Sequence, residues 1–348
     1  MLSYNIQMLK QMRMALLVLF FLMMSATPLF AAETIPAGIH ILSTEELLKA
    51  SELTASFNQD NTWTYVTIPF TLEDVQKTTQ WQEFFDIARE RRIIPIVRLV
   101  TKFEDGAWQV PSKRTIVDQI EVLSHLEWPT QQRTIIIYNE VNHAKEWGGK
   151  IDPVEYADVF IFAANWAHTE NANFVVLPAA MDLAAPNGRS TKEAFAYLEA
   201  MHAHNSEVFM LADAWNSHSY PNPGFSSAPT RTARNSLRGF EYELAYAKQK
   251  TNKDFQVYIT ETGWEASASL SKWFDSYYQY AVDNIWSHPQ VVAVTPFILQ
   301  GAPGPFAGFS FLDQDGKPTK QYVSYKKALE SRFGTAHLLS ATIEIIEY

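Results

Sequence analysis

The chain has 348 residues, 47% hydrophobic, 14% aromatic and only 19% charged, which suits a large core and excludes a disordered or low-complexity chain. Its 28 basic residues stand against 38 acidic ones, and a net charge of −10 speaks against a nucleic-acid partner held by phosphate neutralisation. With no cysteine there is no disulfide, no thiolate metal site and no cysteine nucleophile.

The first stretch reads as a leader. Lys10 and Arg13 lie in a segment without acids, and the apolar run Ala15–Met24 follows, then small residues up to Ala32. The run is short for a bilayer about 30 Å thick. Residues 1–32 are therefore expected to be a cleaved signal peptide, with no stable membrane insertion afterwards and a secreted, periplasmic or cell-envelope location. Residues 33–348 are expected to form one domain.

From there the chain keeps one rhythm. Strands are predicted at Gly38–Leu42, Trp63–Phe70, Ile93–Val100, Thr134–Val141, Asn173–Met181, Val208–Ala214, Gln256–Thr262 and Val291–Leu299. Several are apolar nearly throughout, the pattern of a parallel strand covered on both faces. Helical patterns alternate with them: a short one near Thr44–Leu53, then Leu72–Arg92, Ser112–Leu126, Pro153–Glu170, Thr191–His204, Thr230–Lys250, Leu270–Ser287 and Gln321–Arg332. Asp152-Pro153 has the form of an N-cap with proline at the first helical position, and Ser190 or Thr191 is expected to cap the next helix. Eight βα units without a linker predict a (β/α)8 TIM barrel, an α/β fold. An open doubly wound sheet is the rival, but no glycine-rich phosphate fingerprint follows the first strand. The run within Leu338–Ile346 is assigned only to packing or a ninth edge strand.

Such barrels carry their chemistry at the C-terminal ends of the strands. The residues there include Arg98, Asn139, Glu140, Asp182, Asp213, Trp215, His218, Tyr220, Glu261 and Trp264. An ionisable group ending an apolar run is costly to bury unpaired, so each strand-end Glu is either a paired structural charge or a reactive group. Two of them, three strands apart in a ring of eight, can face each other across the barrel mouth.

Tyr138-Asn139-Glu140-Val141-Asn142 and Ile259-Thr260-Glu261-Thr262-Gly263-Trp264 resemble the two catalytic signatures of clan A of the glycoside hydrolases, in register with strands four and seven. The resemblance implies a retaining glycosidase that hydrolyses O-glycosidic bonds of a β-linked glycan by double displacement. Glu140 would be the acid/base and Glu261 the nucleophile, with Asn139 donating to the sugar 2-hydroxyl. His218 and Tyr220 would hydrogen-bond Glu261 or its sugar, and Arg98 would keep Glu261 ionised. Many clan members have a tryptophan floor at the end of strand eight. Here Phe297 stands in that region, with Phe306 in the next loop as a replacement.

Trp215 and Trp264, beside motif residues, are expected to stack on sugar rings. Trp108 and Trp147 lie in loops, as sugar contacts or as packing, and Asp182 and Asp213 are read as substrate hydrogen-bonders. His202 and His204 are two apart on a helix and face different ways, and His143 reads as a loop residue. No metal or cofactor is expected, and the partner is an oligo- or polysaccharide. The alternatives are an envelope transglycosylase using the same residues and a carbohydrate-binding barrel without activity.

Overall fold

The computed structural model describes residues 34–56 and 62–334. The leader-like segment and the C-terminal β-like run lie outside the described residues. Among the described residues, no helix is long and apolar enough to cross a membrane.

Eight strands form the barrel: β1 (Thr34–His40), β2 (Trp63–Phe70), β3 (Ile93–Leu99), β4 (Arg133–Ile137), β5 (Phe174–Pro178), β6 (Trp215–Ser217), β7 (Val257–Ile259) and β8 (Val291–Val294). Each pairs in parallel with its neighbour from β1 to β5 and from β6 to β8. Backbone bonds close the two seams: Asp213 N to Val176 O at 3.1 Å beside β5, and His40 N to Pro296 O at 3.0 Å between β1 and the end of β8. Gly38 allows the second closure, since a Cβ there would meet Tyr65 O at 2.3 Å and Thr295 Cγ2 at 2.8 Å.

The helices alternate with the strands: α1 (Leu47–Thr54), α2 (Thr78–Glu90), α3 (Lys113–His125), α4 (Pro153–Glu170), α5 (Ala194–His204), α6 (Gly239–Thr251), α7 (Phe274–Asn284) and α8 (Lys320–Phe333). Helix α2 shows why they dock. Trp81, Phe84, Phe85 and Ala88 recur at helical spacing and are all buried, each large side chain contributing about 1.5–3 kcal/mol of transfer free energy. The Asp152 side chain caps α4 by accepting from Glu155 N at 3.0 Å, with Pro153 in the first turn as expected. Helix α5 starts later than predicted and is capped by Glu193.

Two apolar layers result. One lies between strands and helices and takes in Ile135, Ile137, Val257 and Ile259. The other fills the barrel with Tyr65, Ile94, Ile96, Ile136, Leu177, Ala214, Tyr258 and Ala293. The alternation within β4 follows from the twofold period of a strand. Two residues beyond Tyr65, Ala214, Tyr258 and Ala293 come Thr67, Asn216, Thr260 and Thr295, all buried. These form a hydroxyl layer: Thr67 Oγ1 to Thr295 Oγ1 at 2.7 Å, Thr295 Oγ1 to Thr260 O at 2.9 Å, Thr260 Oγ1 to Asn216 Oδ1 at 2.6 Å.

Several boundaries differ from prediction. Strand β1 begins four residues earlier than expected, and α6 begins at Gly239 rather than near Thr230. The sixth strand is the main correction. The apolar run expected there forms a 3-10 turn, Val208–Leu211, whose Val208 and Phe209 are buried against the helices, and the strand follows at Trp215–Ser217.

Candidate active site

Glu140 and Glu261 each follow their strand by three or two residues, at the C-terminal ends of β4 and β7. One carboxylate oxygen of each, together with a ring nitrogen of His218, lies within 4.8 Å of the other two. By distance these three side chains also make a set that could hold a metal ion. Arg98 already supplies positive charge there.

Glu261 sits at the centre of a convergent set of donors. Arg98 Nη1 donates to Oε1 at 2.6 Å and the Tyr220 hydroxyl to Oε2 at 3.1 Å. Burial alone would raise this carboxyl, but the charges of His218 and Arg98 outweigh it and hold Glu261 well below the usual carboxylate range. Tyr220 is pushed well above its ordinary value by burial and by the Glu261 charge, so it stays a phenol and donates. His40, at the end of β1, has Nδ1 3.7 Å from Glu261 Oε1. Burial and the Arg98 charge lower it to about 3, so the ring is neutral at physiological pH.

Glu140 is held differently. Its φ is +31°, and that of Tyr138 is +69°, left-handed conformations that cost a non-glycine residue about 1–3 kcal/mol each. Neighbouring loops fix this turn. His143 N bonds Glu140 O at 2.8 Å, and Asn142 clasps the loop after β5 through Asp182 O and Lys192 O, both at 3.0 Å, and Asp182 N at 3.1 Å. The Glu140 side chain meets His218 Nδ1 at 2.8 Å. Burial would lower His218, but the Glu261 charge and the bond to Glu140 raise it above its ordinary value.

Asn139 links the two halves. Its Oδ1 accepts from Arg98 Nη1 at 2.7 Å, and its Nδ2 donates to Glu146 Oε2 at 3.3 Å. Glu146 is raised by burial and by the charge of Glu140. Asp182 faces the same cleft, its Oδ2 held by His143 Nε2 at 2.8 Å. The cleft has a volume of about 550 Å³, and its lining includes the aromatic residues Trp108, Tyr138, Tyr220, Phe225, Phe297, Phe306 and Phe309.

The structure thus brings Glu140, Glu261, Asn139, Arg98, His218 and Tyr220 together. Trp215 and Trp264 require a correction. Both are buried in the layer between strands and helices, where Trp215 packs on Phe209 and Phe255, and Trp264 on Tyr278. Their indoles donate to Glu243 Oε1 at 3.4 Å and Ser227 O at 2.9 Å, so neither presents a face to the cleft. Trp147 is likewise buried, whereas Trp108 lines the cleft. Asp213 is also corrected: it precedes β6, and its Oδ2 accepts from Val176 N at 2.7 Å and meets His168 Nε2 at 2.8 Å. His40, Glu146, Phe225 and Phe309 were not anticipated. Only His40 had a usable signal, a polar residue inside an apolar strand-like run.

The structure resembles known barrels at low sequence identity. A family 39 glycoside hydrolase from the gut symbiont Bacteroides cellulosilyticus WH2 aligns with a TM-score of 0.57 and 14% identity over 85% of this chain and 64% of its own. A glucosidase from Croceicoccus marinus gives 0.59 and 10% over 85% of this chain and 66% of its own. A family 128 (subgroup II) endo-β-1,3-glucanase from Pseudomonas viridiflava gives 0.51 and 12% over 84% of this chain and 98% of its own. The fold is that of the barrel glycoside hydrolases. The chain spans just under two thirds of the length of the first two. No protein-family model matches it, and no curated protein matches its sequence.

Proposed function

We propose that this chain is an exported, retaining O-glycosidase acting on a β-linked glycan. The observation that carries the reading is the pair of carboxylates at the ends of β4 and β7, one oxygen of each lying within 4.8 Å of one oxygen of the other. Double displacement uses carboxyl groups about 5–5.5 Å apart, whereas inversion needs about 6.5–9.5 Å to admit a water between acid and base. Support for the division of labour comes from the surroundings of each group. Glu261, kept anionic by the charges of His218 and Arg98, is suited to attack the anomeric carbon.

In the first half-reaction the Glu261 oxygen forms a bond to the anomeric carbon as the glycosidic oxygen leaves with a proton from Glu140. In the second, Glu140, now anionic, takes a proton from water, the water oxygen displaces Glu261, and the sugar departs with its configuration retained. The two carboxyl groups and one water balance both steps. Asn139, placed by Arg98, is positioned to donate to the sugar 2-hydroxyl as charge develops on the ring.

A 2-deoxy-2-fluoro aryl β-glycoside tests this directly, because the electron-poor sugar slows breakdown of the glycosyl-enzyme. Mass spectrometry of the digested protein is expected to find the sugar on Glu261. Proton NMR of the first product from a β-glycoside is expected to show the β-anomer. An α-anomer as first product would remove the nucleophile role from Glu261. For export, mature protein recovered outside the cytoplasm should begin near Ala32 or Glu33, and an intact Met1 would count against cleavage.

A further inference from the structure

Two aromatic side chains that line the cleft, Trp108 and Phe306, are each built on a fixed loop. Trp108 belongs to a small hairpin after β3, in which Phe103–Glu104 pairs with Ala107–Trp108. Asp105 and Gly106, both with positive φ, make its two-residue turn, the Asp-Gly arrangement that matches strand twist. Phe103 stands edge-on to Trp108 with centroids 5.2 Å apart, and Gly148 N bonds Trp108 O at 2.7 Å, tying the hairpin to the loop after β4. Phe306 lies in the loop after β8. Its ring stands edge-on to Phe297 at 5.1 Å, and Gly301 lets it approach, since a Cβ there would meet Phe306 O at 2.7 Å. A bond from Ala266 N to Gly308 O at 2.7 Å ties that loop to the one after β7.

Strands three and eight lie three apart around the ring, as do strands four and seven, which bear Glu140 and Glu261. The loop bearing Trp108 therefore neighbours the one bearing Glu140, and the loop bearing Phe306 neighbours the one bearing Glu261. Phe306 remains 44% exposed and Trp108 partly exposed, although burying such rings elsewhere would gain stability. A flat apolar face held rigidly at a polar cleft fits the C–H face of a pyranose.

We propose that the cleft takes an extended glycan lying across the barrel mouth, with Trp108 and Phe306 as platforms for different sugar units, and that cleavage occurs within the chain. This rests on the glycosidase reading and adds the substrate class, a β-linked polysaccharide rather than a small glycoside.

The test uses the full chain with soluble β-1,3-glucan, β-1,4-glucan, β-1,4-mannan and β-1,4-xylan, followed by viscometry and chromatography, alongside 4-nitrophenyl β-glycosides of the same sugars. Early loss of viscosity with oligosaccharide products supports internal cleavage. Hydrolysis of the nitrophenyl glycosides alone, or release of monosaccharide alone from the first minutes, overturns it while leaving the glycosidase reading intact. No turnover of any polymer or glycoside overturns both. Trp108→Ala and Phe306→Ala are each expected to lower kcat/KM on the polymer at least about tenfold more than on the nitrophenyl glycoside, and to shift the product lengths. Trp273→Ala, at an exposed aromatic away from the cleft, should leave the ratio unchanged. Equal losses on polymer and glycoside in both cleft variants, with unfolding midpoints preserved, would show that the rings serve the site in general and are not platforms.

Discussion

Glu140 and Glu261 end strands of the same barrel and face the same space, yet they are held by opposite means. Glu261 has ordinary backbone and a crowded side chain: a guanidinium and a phenol donate to it, and two imidazoles lie 3.7 Å away. Glu140 has a left-handed backbone and an uncrowded side chain, with His218 its one close partner among the described residues. A nucleophile must stay ionised and in place, which fixed positive charge achieves. An acid/base must exchange a proton with two different oxygens, which calls for access. Its orientation is set instead through the main chain.

The sharpest way to break this contrast is to remove each carboxylate in turn. Glu261→Ala should lower kcat by about 10⁴-fold or more on every substrate, and azide should restore turnover of an aryl β-glycoside with formation of the α-glycosyl azide. Glu140→Ala should lose about 10²–10⁴-fold on glycosides with poor leaving groups and far less on dinitrophenyl glycosides. There azide should give the β-glycosyl azide, detected by NMR. If both variants gave the same anomer, the division of roles would be wrong.

A smaller effect tests the electrostatics. Arg98→Met removes a cation that holds Glu261 below its ordinary range, so the carboxyl should titrate higher. The acid limb of the kcat/KM profile should move to higher pH, with a loss of about a hundredfold at neutral pH. An unmoved acid limb would mean that His218 alone sets the charge on Glu261.

Glu243 shows what burial does without a close cation. It lies on α6 beneath β6, bonded by Ser217 and Trp215, and burial raises it to about 7. A carboxyl raised on folding contributes full stability below its unfolded value and loses it as pH rises through the folded one. Glu243→Gln should therefore gain on the wild type between pH 5 and pH 8, by on the order of 3 kcal/mol. Urea denaturation at the two pH values measures this, and a constant difference would show that Glu243 is not strained by ionisation.

Much of the architecture was legible because strands two to five announce themselves. Ile93–Leu99 and Arg133–Ile137 are apolar on both faces, which leaves few alternatives to a covered parallel strand. The second half of the ring was harder to read. Strand β6 is three residues long and contains two polar residues: Asn216 turns inward to the hydroxyl layer, and Ser217 turns to α6 and donates to Glu243. The more apolar Val208–Leu211 beside it drew the assignment, although burial against helices asks for the same residues as burial in a sheet.

The two motifs marked the pair proposed as reactive, each a Glu just after an apolar run. Side-chain direction was not legible. Trp215 falls on the helix side of β6 by strand alternation, and Trp264, in the loop beyond β7, is packed against Tyr278 on that same side. Glu146 and Phe309 reach the cleft only through loop geometry that no local pattern encodes.

The hydroxyl layer of Thr67, Thr295, Thr260 and Asn216 divides the barrel into two tenants with separate interests. Above it stand Glu140, Glu261 and the groups bonded to them, and below it lie Ile94, Ile136, Leu177 and their neighbours. An engineer seeking a hardier catalyst can redesign the lower floor without repositioning the machinery upstairs. An evolving lineage can likewise drift in its foundation while keeping its trade.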